Sequence, residues 1–209
     1  MRRVLLVDDH QIVRDGLKTI FREQATTEFG EASTPADALA LAREGQWDLA
    51  VVDISLGARG GIDLVKQIKT MWPSLPVLVL TMHSEEQYAR RAYKAGAQGY
   101  ITKDSPRAEL TTAIAKVIRG GRYVSARFAD GLVLELRRDA DGPPHQTLSD
   151  REFEVMRLIG SGKTVGEIAT LLSLSDKTVS TYRARILEKL GRNTTAEIIR
   201  YVLENELIY

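Results

Sequence analysis

Five side chains able to do chemistry stand at the ends of apolar runs. Asp8 and Asp9 follow Val4-Leu5-Leu6-Val7, Asp53 follows Leu49-Ala50-Val51-Val52, Thr81 follows Val77-Leu78-Val79-Leu80, and Lys103 follows Gly99-Tyr100-Ile101-Thr102. Such short apolar runs, bounded by polar or glycine-rich residues, read as strands buried on both faces of a parallel sheet. Loops leaving the carboxyl ends of parallel strands splay apart and open a crevice, so these side chains are expected to face one another. Three acids that close repel unless a cation neutralises them, and a hard, oxygen-seeking ion such as Mg²⁺ suits a carboxylate cluster with room for water. A carboxylate can also attack phosphorus and form an acyl phosphate, a transfer driven mainly by positioning and charge neutralisation. The metal, the Lys103 ammonium and the Thr81 hydroxyl are the candidates for holding the phosphoryl oxygens.

The elements that must position them follow in β–α order. Residues 2 to 7 read as a strand, and Gln11 to Phe21 as a helix with Ile12, Val13, Leu17, Ile20 and Phe21 on its apolar stripe. A weaker strand near Glu28 to Ala32 leads to Thr34-Pro35, a cap and first-turn pair for a helix reaching about Arg43. After Asp53 come the turn Gly57-Ala58-Arg59-Gly60-Gly61 and a helix stopped by Trp72-Pro73. Glu85 to Ala95 is helical and closes on Gly96, and a fifth helix runs from Pro106 to about Arg119. Five such units in tandem predict an α/β fold, a doubly wound five-stranded parallel sheet with right-handed crossovers.

The pattern then changes. Residues 125 to 138 carry Phe128, Leu132 and Leu136 in helical register, and Arg137 to Gln146 is charged, proline-containing and nearly devoid of apolar residues. Residues 1–121 are therefore expected to form one domain, 122–146 a linker with room for one helix, and 147–209 a second domain. Four helix patterns fill the last: Asp150 to Ile159, Val165 to Leu172, Asp176 to Leu190 and Thr195 to Glu204. With no strand signal among them they predict a compact all-α unit.

Composition sets bounds. The 209 residues carry 29 Lys and Arg against 28 Asp and Glu, so nucleic-acid contact must come from a local basic patch. No apolar run approaches the roughly 20 residues of a membrane span. The start, Met1-Arg2-Arg3 and then an apolar run, meets Asp8-Asp9 at once, so no export signal is expected; the lack of cysteine fits a reducing cytoplasm. Gly160-Ser161-Gly162-Lys163-Thr164 has the tail of a phosphate-binding loop, but Arg157 stands where its first glycine belongs and a helix precedes it. His10, His83 and His145 lack metal-ligand spacing and read as exposed or loop residues.

Taken together, Val7-Asp8-Asp9-His10, Val52-Asp53-Ile54, Leu80-Thr81 and Ala95-Gly96-Ala97-Gln98-Gly99-Tyr100-Ile101-Thr102-Lys103-Asp104 resemble the motifs of the receiver domain of two-component response regulators. The resemblance implies a flavodoxin-like fold with Asp53 as phosphoacceptor. It further implies Mg²⁺ held by Asp8, Asp9, Asp53 and the Ser55 backbone carbonyl, Thr81 and Lys103 on the phosphoryl group, and Tyr100 as the switch aromatic linked to Thr81. Where the family usually has a methionine–proline pair after the phosphoacceptor, this chain has Leu56-Gly57.

In the second domain, the helix Asp176 to Leu190 carries Lys177, Ser180, Thr181, Arg183, Arg185 and Lys189, with Val179, Tyr182, Ile186 and Leu190 at core spacing. Basic side chains can bind phosphates, while hydroxyls and arginine can reach base edges in a major groove. Leu148-Ser149-Asp150-Arg151-Glu152, Gly162-Lys163-Thr164-Val165-Gly166-Glu167-Ile168-Ala169 and Lys177-Thr178-Val179-Ser180-Thr181-Tyr182 resemble the four-helix helix-turn-helix domain of the LuxR/NarL/FixJ type, closest to its BvgA/EvgA-like subgroup. Ser180 and Tyr182 stand where many members have lysine and histidine. The resemblance implies a transcription regulator, not an enzyme beyond self-phosphorylation and self-dephosphorylation at Asp53. Its implied partners are a histidine kinase, double-stranded promoter DNA, a second copy of the chain and RNA polymerase, with no membrane. A phosphatase or phosphotransferase using Asp53 in turnover, and a DNA binder with a silent receiver, remain open alternatives.

Overall fold

The computed structural model describes residues 1–23, 25–56, 61–130 and 143–207, apart from the side chains of residues 86 and 87. It divides into two compact units, Met1–Gly131 and Leu132–Tyr209.

The first unit is built on strands β1 (Arg2–Val7), β2 (Thr27–Ala32), β3 (Leu49–Val52), β4 (Val77–Thr81) and β5 (Gly99–Thr102). They form one sheet in the order β2-β1-β3-β4-β5, every pairing parallel. Between and after them run α1 (Gln11–Arg22), α2 (Pro35–Glu44), α3 (Gly61–Met71), α4 (Glu85–Lys94) and α5 (Arg107–Ile118). Successive strand residues point to opposite faces. Val4, Leu6, Leu49, Val51, Leu78, Leu80 and Ile101 accordingly share a core with Leu17 and Phe21 of α1 and with Leu110, Ala113, Ile114 and Val117 of α5. Residues of the opposite parity, such as Leu5, Val7, Ala50 and Val79, are equally buried, which explains the continuous apolar runs.

Chain order reverses between β1 and β3, since the chain steps outward to β2 before crossing back. Val7 pairs with Val52, which aligns the carboxyl ends of these two strands and makes their shared edge the topological switch point. Gly96 ends α4 with φ +103°, as its place in the sequence predicts. Gly61 has another reason to be glycine: a Cβ there would lie 2.3 Å from the Ile54 Cα and 2.6 Å from the Asp53 carbonyl oxygen. The close approach of α3 to the end of β3 thus requires it. The remaining turn residues, 57–60, lie outside the described residues.

Two expectations need correction. Ile12 is not on the buried stripe of α1 but 81% exposed, and Arg14 occupies the buried register with Leu17 and Phe21. At 3.6 residues per turn Ile12 sits about 140° round the helix from Leu17, whereas Arg14 lies one turn below it. Residues 122 to 130, assigned to the linker from sequence, pack on the first unit. Tyr123 bridges to Gly99 of β5, the Tyr93 hydroxyl donates to the Tyr123 carbonyl at 2.7 Å, and Phe128 packs against the Tyr93 ring. Residues 126–130 are helical; the rest of the helix expected to 138 lies outside the described residues.

The second unit contains a short 3-10 turn (Pro144–Thr147) and helices α6 (Asp150–Gly160), α7 (Val165–Leu172), α8 (Asp176–Leu190) and α9 (Thr195–Glu204). Three of the helices begin with a capping box: Ser149 with Glu152, Thr164 with Glu167, and Thr194 with Glu197. Phe153, Met156, Ile168, Val179, Ile186, Ile198 and Val202 fill the core between them. The 3-10 turn belongs to this unit, because His145 places Nδ1 2.9 Å from the Tyr201 hydroxyl and half-buries its ring beside Phe153.

Candidate functional site

In the first unit the carboxyl edge of the sheet gathers the strand-end residues as expected. Asp53, only 2% exposed, directs Oδ2 to the Lys103 Nζ at 2.7 Å, while Oδ1 accepts the Ser55 backbone N–H at 2.8 Å. Lys103 also reaches Asp8 Oδ2 at 2.8 Å, so a single ammonium bridges the acids that end β1 and β3. Burial opposes that charge, but the hydrogen bonds and charges of Asp53 and Asp8 outweigh it and hold the lysine pKa above its ordinary value. Lys103 is therefore cationic throughout the physiological range.

Asp9 and His10 complete the mouth. One ligand atom from each of Asp8, Asp9, His10 and Asp53 falls within a cluster spanning 4.8 Å. The converging carboxylates form a hard, negatively charged donor set that fits a small divalent cation. His10 was not read as part of this pocket from sequence, yet its Nδ1 lies 2.7 Å from Asp9 and its backbone N–H donates to Asp8 Oδ1 at 2.9 Å. Its place directly after the Asp-Asp pair was the signal available in the sequence.

Thr81, fully buried at the end of β4, lies with its hydroxyl 3.1 Å from the Ser55 hydroxyl. Sequence reasoning assigned Ser55 a role through its carbonyl only; its side chain now joins the β3 and β4 loops. Tyr100 is inward and buried, and its hydroxyl donates to the His83 carbonyl at 2.8 Å, two residues beyond Thr81. His83 in turn stacks on Tyr88 at 4.4 Å between ring centroids and is half-buried, not exposed. A chain of contacts thus runs from the β3 end through Thr81 to the start of α4. Leu56 is buried, so this non-consensus residue serves as packing. A further residue missed in the sequence is Arg14, whose Nη1 donates to the Asp8 backbone carbonyl at 2.5 Å.

In the second unit, α8 is anchored by buried Val179, Ile186 and Leu190, with Tyr182 half-buried beside them. Ser175 caps it by accepting the Thr178 N–H at 3.2 Å, and Gly191 closes it at φ +62°. Lys177, Thr181 and Arg185 lie on the exposed face, with Ser180 and Arg183 half-exposed on its flanks. The Thr181 hydroxyl donates to the Lys177 carbonyl at 2.9 Å, leaving its oxygen as an acceptor. Lys189 differs from the other basic residues. Its Nζ lies 2.6 Å from Glu152 Oε2, tying the end of α8 to the start of α6. Burial raises the Glu152 pKa, but the Lys189 contact and the Ser149 cap more than offset this and leave it below the usual glutamate value.

Comparison with known proteins agrees with both halves. Residues 4–115 match the response regulator receiver domain family, and residues 146–202 match the bacterial regulatory proteins of the luxR family. The chain is 36% identical over 211 residues to a putative transcriptional regulator of Pseudomonas aeruginosa, covering 100% of both. It is 32% identical to the response regulator UvrY of Escherichia coli, covering 99% of this chain and 96% of that one. Among solved structures it resembles RcsB of Salmonella enterica serovar Typhimurium bound to promoter rprA in the presence of the phosphomimetic BeF3⁻. The TM-score is 0.69 at 26% identity, with 97% of this chain and 98% of that one covered.

Proposed function

Since this chain belongs to the response regulators that join a receiver domain to a luxR-family DNA-binding domain, we propose that Asp53 is its phosphoacceptor and that phosphorylation there shifts it towards a promoter-binding dimer. The observation carrying this reading is the buried Asp53 carboxylate at the switch point, bridged by Lys103 to Asp8. The donor is a phosphorylated histidine on a partner kinase or a small acyl phosphate. An Asp53 carboxylate oxygen forms the new bond to phosphorus, the bond to the leaving group breaks, and that group departs with the electron pair. Lys103 and the Thr81 hydroxyl are the protein donors for the phosphoryl oxygens.

Asp8, Asp9, Asp53 and the Ser55 carbonyl are the residues that would hold Mg²⁺. When bound, the ion neutralises charge between the acids and the incoming phosphoryl group. The Thr81 hydroxyl, 3.1 Å from that of Ser55, would turn its proton towards a phosphoryl oxygen, and Tyr100 lies against the loop that follows Thr81. That supports a switch in which the β4–α4 loop and the Tyr100 side chain change together. The output end is α8, with Lys177, Thr181 and Arg185 on the DNA-facing side and Arg183 and Ser180 on its flanks. The Glu152 pair favours a structural role for Lys189 over a DNA contact. Among the described residues no helix is long and apolar enough to cross a membrane. With promoter DNA as its target, the protein acts in the cytoplasm beside RNA polymerase.

The direct test is incubation with Mg²⁺ and acetyl phosphate followed by intact-mass measurement. Wild type should gain one phosphoryl group and Asp53→Ala none; equal incorporation by both would reject Asp53 as the acceptor.

A further inference from the structure

Arg14 is the buried charged group that the phosphoryl-transfer reading leaves without a task. It is 9% exposed, one turn into α1. A buried guanidinium is unfavourable unless its donors find partners, and each of the three Arg14 nitrogens has one, drawn from three parts of the fold. Nη1 donates to the Asp8 carbonyl at 2.5 Å, Nε to Glu31 Oε2 at 3.0 Å on β2, and Nη2 to the Gln11 side chain within α1. Glu31 is itself fixed by Lys18 at 2.7 Å, and Lys18 by Asp15 at 2.7 Å. The guanidinium is therefore held from one side by a network and presses its other side on one peptide.

That peptide joins Asp8 to Asp9. Because a peptide is planar, holding its carbonyl direction also sets the plane from which Asp9 departs. Asp8 is constrained a second time, since its Oδ1 accepts the His10 N–H at 2.9 Å. Charge balance alone would need only the Glu31 contact. The bond to a backbone carbonyl next to both acids has a different consequence, since it limits how the two carboxylates can turn.

We propose that Arg14 is a positioning residue for the divalent-cation site, clamping the Asp8–Asp9 peptide so that both carboxylates are preset for the ion. The proposal rests on the reading that Asp8 and Asp9 hold that ion. Outer partners that orient metal-binding groups commonly govern affinity without touching the metal.

The test is Mg²⁺ titration calorimetry on the full chain, paired with the rate of phosphoryl incorporation from acetyl phosphate across a Mg²⁺ series. Arg14→Gln should weaken Mg²⁺ binding roughly tenfold or more and raise the half-saturating Mg²⁺ in step. Its rate at saturating Mg²⁺ should stay within about twofold of wild type. Arg14→Lys should recover part of the affinity, because an ammonium can reach the Asp8 carbonyl but not all three acceptors. Glu31→Gln, which loosens the clamp from behind, should fall between. A folded Arg14→Gln with wild-type Mg²⁺ affinity would overturn the proposal, as would a fall in maximal rate at unchanged affinity. If Arg14→Gln does not fold, Arg14→Lys and Glu31→Gln decide by the same criteria. Asp8→Asn separates the two claims: if it binds Mg²⁺ like wild type, the cation-site reading itself fails and the clamp falls with it.

Discussion

Lys103 is the residue on which the pocket's electrostatics turn. It faces Asp53 at 2.7 Å and Asp8 at 2.8 Å, and both acids are nearly inaccessible to water. Lys103→Met removes the fixed cation and leaves two buried carboxylates opposed. Phosphoryl incorporation at saturating Mg²⁺ should slow about 100-fold or more, the usual effect of losing one preorganised donor, as read by intact-mass time courses. A loss of less than about threefold would mean that Lys103 does not serve the transfer. The strand-end residues were legible in the sequence only as a set: a single acid closing an apolar strand has ordinary explanations, whereas two aspartates, a third aspartate, a threonine and a lysine closing four such runs do not. Arg14 was not. An arginine within an amphipathic helix reads as the edge of its polar face, and only the fold brings Glu31 and the Asp8 carbonyl within its reach. Ile12 misled for the converse reason, being apolar but about 140° from the buried register.

At the scale of elements, the helical unit depends on how its helices start and where α8 is moored. Glu152 does both, accepting the Ser149 N–H at 2.8 Å and the Lys189 ammonium at 2.6 Å through the same oxygen. Its folded pKa lies below the ordinary 4.5, so its contribution is fully present above that value and is lost as pH falls through the lower folded value. Glu152→Gln should cost roughly 1–3 kcal/mol at pH 7, measured by calorimetry of the full chain. The difference from wild type should shrink below pH 4.5, and a pH-independent difference would assign the cost to packing. On the flank of the exposed face of α8, Arg183→Ala should lower DNA affinity and flatten its salt dependence by about one unit of log K against log salt. An unchanged slope would exclude a phosphate contact. The four helices were legible from apolar periodicity, and the S/T-x-x-E boxes at Ser149, Thr164 and Thr194 mark three of their starts. The Glu152–Lys189 pair was not legible, since these residues are 37 positions apart and a lysine on a basic helix looks like one more DNA contact.

Across the whole molecule, the proposed phosphoacceptor site and the helix proposed to meet DNA sit in separate compact units. Covalent charge at Asp53 can act on DNA only by changing the populations of states that differ in DNA affinity. On the proposed reading, the β3–β4 contacts through Ser55 and Thr81, with Tyr100 against the His83 carbonyl, are where that charge would first be felt. Domain order was legible from the change in pattern after Gly120-Gly121. The extent of the connection was less so, because Tyr123 and Phe128 pack back on the first unit and His145 on the second. The most direct measurement of the central claim is promoter-DNA affinity of wild type and Asp53→Ala, each with and without Mg²⁺ and acetyl phosphate. The account predicts tighter binding, with dimer formation, only for wild type given both reagents. If treated wild type and Asp53→Ala bind DNA alike, phosphorylation at Asp53 is not the switch.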